Sequence, residues 1–165
     1  MKNIKLRPYS PADITAVTGL FYNTVHTVNR RDYTDIQLDV WADGNTDLDK
    51  WTISFQSNIT VIAEIAEIAE VAEVAEVDSI IVGFGDITHD GYLDRLYVHK
   101  DYQHIGIATA ICDYLESRTD SDKIITHASI TARPFFEKRG YVAVKEQQVI
   151  RHNVALTNFI MEKQI

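Results

Sequence analysis

Apolar and polar residues alternate in Ile4-Lys5-Leu6-Arg7, which predicts a first strand. Ser10-Pro11-Ala12-Asp13 then supplies a helix start: a capping residue, a proline suited to the first turn, and an acid at the positive end. Ile14, Val17, Phe21 and Val25 recur at helical spacing until Asp32-Tyr33-Thr34 breaks the pattern. A second helix is predicted from about Asp35 to Trp41, a loop over Ala42–Asp49, and a short helix near Trp51–Phe55. Strands follow near Asn58–Glu64 and Ser79–Thr88. His89-Asp90-Gly91 reads as a turn before a strand at Tyr92–Val98. Ile107, Ile111 and Leu115 share one face of a helix from Gly106 to Ser117. A strand at Lys123–Ser129 leads to a short helix at Pro134–Arg139, stopped by Gly140. Val142–Arg151 and Val154–Lys163 form a closing hairpin across His152-Asn153. Such mixing predicts an α+β fold: a mixed, twisted central sheet flanked by helices, read as one domain over residues 1–165.

Residues 62–76 repeat Ile-Ala-Glu three times and Val-Ala-Glu twice. Period three suits neither a helix nor a strand, because neither then keeps its Ile/Val row on one buried face. An expansion inside a hairpin connecting two strands, an insertion at about 62–77 that makes a variable excursion between them, is therefore expected. A role in protein interaction is the other reading. The segment also dominates the charge. The chain has a formal net charge of −8, and residues 61–78 hold six acids and no base, which leaves −2 elsewhere.

The remaining composition narrows the function classes. No basic stripe points to nucleic acid and no basic amphipathic helix to a membrane surface. No apolar run approaches the ~20 residues of a bilayer span. The N-terminus lacks a signal-peptide core, so a cytoplasmic location is expected. The single Cys112 sits in a helical pattern and reads as packing. No His/Cys/carboxylate cluster has metal-ligand spacing, so no metal is expected. Exposed edge strands would permit a homodimer.

The chemistry-bearing segment runs from Leu96 to Ala108, where a strand enters a loop that opens a helix. The first amides of a helix lack intrahelical partners and lie at its positive end, which suits a pyrophosphate. Gly106 and Ala108 lack bulk, so phosphates can approach the backbone. Gln103-His104-Ile105-Gly106-Ile107-Ala108 resembles the acetyl-CoA motif of the GNAT N-acetyltransferase superfamily, Gln/Arg-x-x-Gly-x-Gly/Ala. Ala132 to Tyr141 resembles the helix and aromatic that follow that family's fifth strand. Phe21–Asn29 and Leu156–Met161 resemble a bacterial YafP-like subgroup.

The resemblance implies the GNAT fold, with strands four and five splayed around a cleft for the pantetheine of acetyl-CoA. Backbone groups of Leu96, Tyr97 and Val98 would pair with pantetheine, and amides from Gln103 through His104, Ile105, Gly106 and Ile107 to Ala108 would hold the pyrophosphate. Ser129 stands where many members carry an Asn that contacts the cofactor. His104 and Ile105 replace the usual Gly and basic residue. Phe136, in the cofactor-binding region, stands where many members have the Tyr that protonates the leaving thiolate.

The implied reaction moves an acetyl group to a primary amine, on a small molecule or a protein, by direct attack in a ternary complex. An amine of pKa ~10.4 is neutral in only about one of a few thousand molecules at pH 7, so a base or desolvation must help. Alternation places Tyr92, Asp94, Leu96 and Val98 on one strand face. Asp94 is the first candidate base; its plain alternative is an ion pair with Arg95. His26, at the end of the first helix, is the second, since imidazole suits proton transfer near neutrality; the alternative is a hydrogen-bonded structural histidine. Tyr141 or Tyr22 could replace the missing acid, although Tyr141 also reads as a core aromatic. Tyr22, His26, Tyr33 and Trp41 could line the acceptor pocket or simply pack. A non-catalytic acyl-CoA-binding or sensor module is the alternative for the whole protein.

Overall fold

The computed structural model describes residues 3–71 and 74–165, with side chains described outside 67–77. Its strands are β1 (Ile4–Pro8), β2 (Ile59–Val71), β3 (Val74–Ile87), β4 (Tyr92–Val98), β5 (Lys123–Ser129), β6 (Val142–Arg151) and β7 (Val154–Gln164). Its α-helices are α1 (Ile14–Thr27), α2 (Asp35–Trp41), α3 (Leu48–Ser57), α4 (Ile107–Glu116) and α5 (Arg133–Lys138). The strands form one sheet in the order β1-β2-β3-β4-β5-β7-β6. Neighbours are antiparallel except β4 and β5, which run parallel.

Two apolar layers clothe the sheet. On one face, Ile107, Ile111 and Leu115 of α4 and Phe136 of α5 pack on Val61, Val82, Leu93 and Ile124. On the other, Val17, Phe21 and Val25 of α1, Leu38 of α2 and Phe55 of α3 pack on Ile62 and Phe84. Arg7 joins β1 to the start of α1 and to β2 by bonding Asp13 and Glu64 at 2.8 and 2.7 Å. Its guanidinium holds the Asp13 carboxyl below the usual carboxylate range.

Two glycines set how closely α4 sits on the sheet. A Cβ on Gly83 would lie 2.9 Å from Ile107, and one on Gly85 would lie 2.8 Å from Ile111 and 2.9 Å from the Arg95 carbonyl. Gly85→Val should therefore lower stability by about 1–3 kcal/mol, the usual cost of overpacking, because helix and backbone must both give way. Denaturant unfolding checks this; unchanged stability would mean that α4 can back away from the sheet freely.

The triplet repeat lengthens the two strands of the expected hairpin in place of an excursion. Among the described residues no excursion interrupts the hairpin: after one bulge between Ala63 and Glu64, β2 and β3 pair as far as Val71↔Val74. The register sets Ile65 opposite Ile80, Ile68 opposite Val77 and Val71 opposite Val74. Period three, awkward for one strand, thus brings β-branched residues opposite each other every third rung, a pairing that favours a ladder. Among the described residues β1 ends at Ile4↔Ile65 and β4 at Gly83↔Val98, so the outer rungs join β2 and β3 alone. The third helix is also longer than the aromatic spacing suggests. The Asp47 carboxylate accepts from the Lys50 amide and starts it three residues earlier.

Candidate active site

Strands β4 and β5 share two rungs, Tyr92↔Ile125 and Leu93↔Thr126. Thr126 adds one bond, its hydroxyl donating to the Leu93 carbonyl at 2.9 Å. Beyond that point a cavity of about 460 Å3 lies between the strands. Leu96, Tyr97 and Val98 line one wall, and His127, Ala128 and Ser129 the other. Gln103, His104, Gly106, Ile107 and Ala108 close one end, and Ala132, Phe135 and Phe136 border it.

The loop into α4 is shaped by two left-handed residues, His104 at φ 61° and Gly106 at φ 91°. Gly106 caps α4, and a Cβ built there would meet nothing within 4 Å. The helix start therefore faces open space, with the unpaired amides of its first turn available to an anion. The Gln103 side chain is already used: its amide donates to the Val98 carbonyl at 2.7 Å, which also accepts from the Thr24 hydroxyl at 3.1 Å. These bonds fix the loop and α1 to the end of β4. Ser129 accepts from the Ala132 amide at 3.0 Å, which shapes the turn into α5 and leaves its proton free to donate. Ile105 is 47% exposed and lies outside the cavity lining.

Simple alternation fails along β4. Ile87 pairs with Leu93 and Asp86 with Arg95, so Asp94 is the extra residue of a β-bulge. Leu93, Leu96 and Val98 consequently face α4, while Arg95 and Tyr97 face α1 and α3. The expectation that Asp94 shares a face with Leu96 and Val98 is corrected by this one inserted residue. Asp94 instead stands at the edge between layers. It lines the first cavity and a second one of about 550 Å3, bounded by Trp41, Trp51, Arg95, Tyr97, Arg151 and His152 among others. Asp94, Tyr97 and Trp41 line both.

Neighbouring groups hold this junction. Arg95 bonds Asp86 at 2.7 Å and Ser54 at 3.1 Å, lies over the Trp51 and Phe55 rings, and reaches Asp94 at 3.4 Å. Asp86 is fully buried, and burial raises its pKa to about 6 against the pull of Arg95 and Asn58. Burial pushes the Tyr97 phenol up to about 12, although Trp41 hydrogen-bonds to it.

Several residues predicted for the site are elsewhere. The His26 ring bonds the Ala42 carbonyl at 2.7 Å and packs on Tyr22, tying α1 to the end of α2. Tyr22 is exposed and lies against Gly44. Tyr33 is buried; its hydroxyl donates to the Thr157 carbonyl and accepts from the Ile130 amide, so it clamps α2's entry to the sheet. Tyr141 is buried and donates to Glu116 at 2.8 Å, and burial with that carboxylate raises its pKa. None of the four lines either cavity. Trp41 alone of the expected aromatic set does. Thr24, Asn29, Thr126 and Arg151 line cavities without having been signalled. They reach the site through long-range strand and helix placement.

An acetyltransferase (GNAT) domain model matches residues 31–163. The chain belongs to the GNAT acetyltransferase family. It is 31% identical over 162 residues to the uncharacterized N-acetyltransferase YafP of Escherichia coli K12, covering 98% of this chain and 96% of that protein. Among solved structures it resembles a GCN5-related N-acetyltransferase from Rhodopseudomonas palustris, with 29% identity, TM-score 0.84 and coverage of 100% and 98%. The PaiA N-acetyltransferase of Thermoplasma acidophilum, solved in complex with coenzyme A, shares the fold at TM-score 0.73 and 16% identity, with 99% of each chain covered. The chain is thus a YafP-like member of the family and an acyltransferase. No helix among the described residues is long and apolar enough to cross a membrane.

Proposed function

We propose that the protein transfers an acetyl group from acetyl-CoA to a primary amine by direct attack in a ternary complex. The observation that carries this reading is the meeting of two cavities at Asp94, one walled by β4, β5 and the start of α4 and the other open to an acceptor. The open space at Gly106 fits a pyrophosphate against the first turn of α4. Leu96 to Val98 would bind pantetheine through the backbone, and Ser129 would donate from the facing strand.

In this reading the acceptor ammonium gives its proton to Asp94, directly or through water. The neutral amine attacks the thioester carbonyl. A C–N bond forms, a β4 amide near Val98 stabilises the oxyanion, and the C–S bond then breaks. Phe136 offers no proton, so the second proton leaves the acetylated nitrogen to solvent, and solvent protonates the thiolate. Holding amine and thioester together supplies much of the rate.

The buried, hydroxyl-free Phe136 favours a second reading, an acyl-CoA sensor without turnover. Calorimetric titration with acetyl-CoA, followed by thiol-release assays over an amine panel, separates the two. Saturable binding with amine-dependent thiol release supports the transferase. Binding without release supports the sensor. No binding overturns both.

A further inference from the structure

The second cavity is bordered by Asp43, Asp94, Arg95 and Arg151, and these charges are not all paired. Arg95 is committed to Asp86, Asp94, Ser54 and two aromatic rings. Arg151 differs: it ends β6, is exposed, and has no ion pair or side-chain hydrogen bond among the described residues. His152, the next residue, likewise lines the cavity. The hairpin turn brings both there, because His152 and Asn153 both take positive φ, 48° and 63°. That is the turn geometry which matches strand twist and closes β6 on β7 tightly. Arg151 is also near enough to Tyr97 for its charge to oppose the rise that burial causes in the phenol.

The same cavity holds Asp94, where the two cavities meet, and the rings of Trp41 and Trp51. Two carboxylates, Asp94 and Asp43, an uncommitted guanidinium and aromatic rings thus border one space; Asp43 already accepts from the Asn45 amide. The geometry points to an acceptor that carries its amine and a carboxylate on one small molecule: an amino acid with an apolar or aromatic side chain. Its amino group lies at Asp94, its carboxylate on Arg151, and its side chain against the tryptophans. A guanidinium suits this task because its planar fork matches a carboxylate in two parallel hydrogen bonds. This assignment rests on the transferase reading and names the substrate class of that site.

The test pairs each amino acid with its decarboxylated amine: phenylalanine with phenethylamine, tryptophan with tryptamine, leucine with isoamylamine. Thiol release is followed with the natural protein and with Arg151→Ala and Arg151→Lys, and acetyl-CoA affinity is titrated separately. The natural protein should favour an amino acid over its amine in kcat/KM by about 10- to 100-fold, the worth of a charged hydrogen-bonded pair. Arg151→Ala should bring that ratio close to one, chiefly through KM, and Arg151→Lys should restore part of it. Equal or better use of the decarboxylated amines overturns the proposal, as does a preference that survives Arg151→Ala. Acetyl-CoA binding without turnover of any pair also overturns it while leaving the cofactor reading intact. Loss of acetyl-CoA binding by the natural protein removes the transferase reading first, and the proposal with it.

Discussion

Asp94→Asn should lower kcat by about 10²–10⁴-fold at neutral pH, the range expected for removing a general base. The substitution keeps the size of the side chain, and the bulge that places it is a backbone feature, so the fold and acetyl-CoA affinity should persist. The deficit should shrink as the pH approaches the acceptor amine's own pKa, where solvent alone supplies neutral amine. Steady-state kinetics from pH 7 to 10 measure this. Full activity across that range would mean that Asp94 serves only its 3.4 Å ion pair with Arg95.

Gly106→Glu should weaken acetyl-CoA binding by at least ~100-fold, or about 2.7 kcal/mol, because it aims a carboxylate at the space proposed for the pyrophosphate. The left-handed backbone complicates any substitution there, since a residue with a Cβ is strained at φ 91°. Gly140 provides the control. It has φ 89° and, like Gly106, nothing within 4 Å of a built Cβ, yet it lies at the end of α5 and outside both cavity linings. Gly140→Glu should therefore show similar strain in thermal unfolding with acetyl-CoA affinity within about threefold of the natural protein. Equal loss of binding in both variants would assign the effect to strain and remove the phosphate cradle.

Much of the fold was legible because local chemistry and long-range packing agree. Gly140 adopts the left-handed conformation that its position at the end of a helix suggests. His152-Asn153 makes the predicted turn, and the α4 row of Ile107, Ile111 and Leu115 is buried as its spacing requires. The cavity wall from Leu96 to Val98 and, Ile105 excepted, the lining from Gln103 to Ala108 were legible for the same reason, since strand, loop and helix follow one another in the chain.

What the sequence concealed depends on partners far away in it. Tyr33 and Tyr141 have hydroxyls that could serve catalysis, but Thr157 and Glu116 take them, 124 and 25 positions distant. His26 is similarly spent on Ala42. The bulge at Asp94 comes from the pairing of β4 with β3 and leaves no mark in the alternation of β4 itself. Arg151 lies 57 residues beyond Asp94, and the sheet order puts β6 at the far edge, so no local pattern connects the two. Polar tips and inserted residues are set by tertiary closure, which hydrophobic periodicity does not encode.

The outer rungs of β2 and β3 give the gene an unusual freedom. Copying errors in a repetitive stretch add or remove whole triplets, and a hairpin that pairs only with itself can absorb them. Two triplets lost would shorten each strand by three residues, about 10 Å of arm at ~3.3 Å per residue. The rungs from Ile59↔Ile87 to Ile65↔Ile80 would keep their partners, and so would β4 and Asp94. The number of triplets thus sets the length of the arm and leaves the pairing that positions β4 untouched.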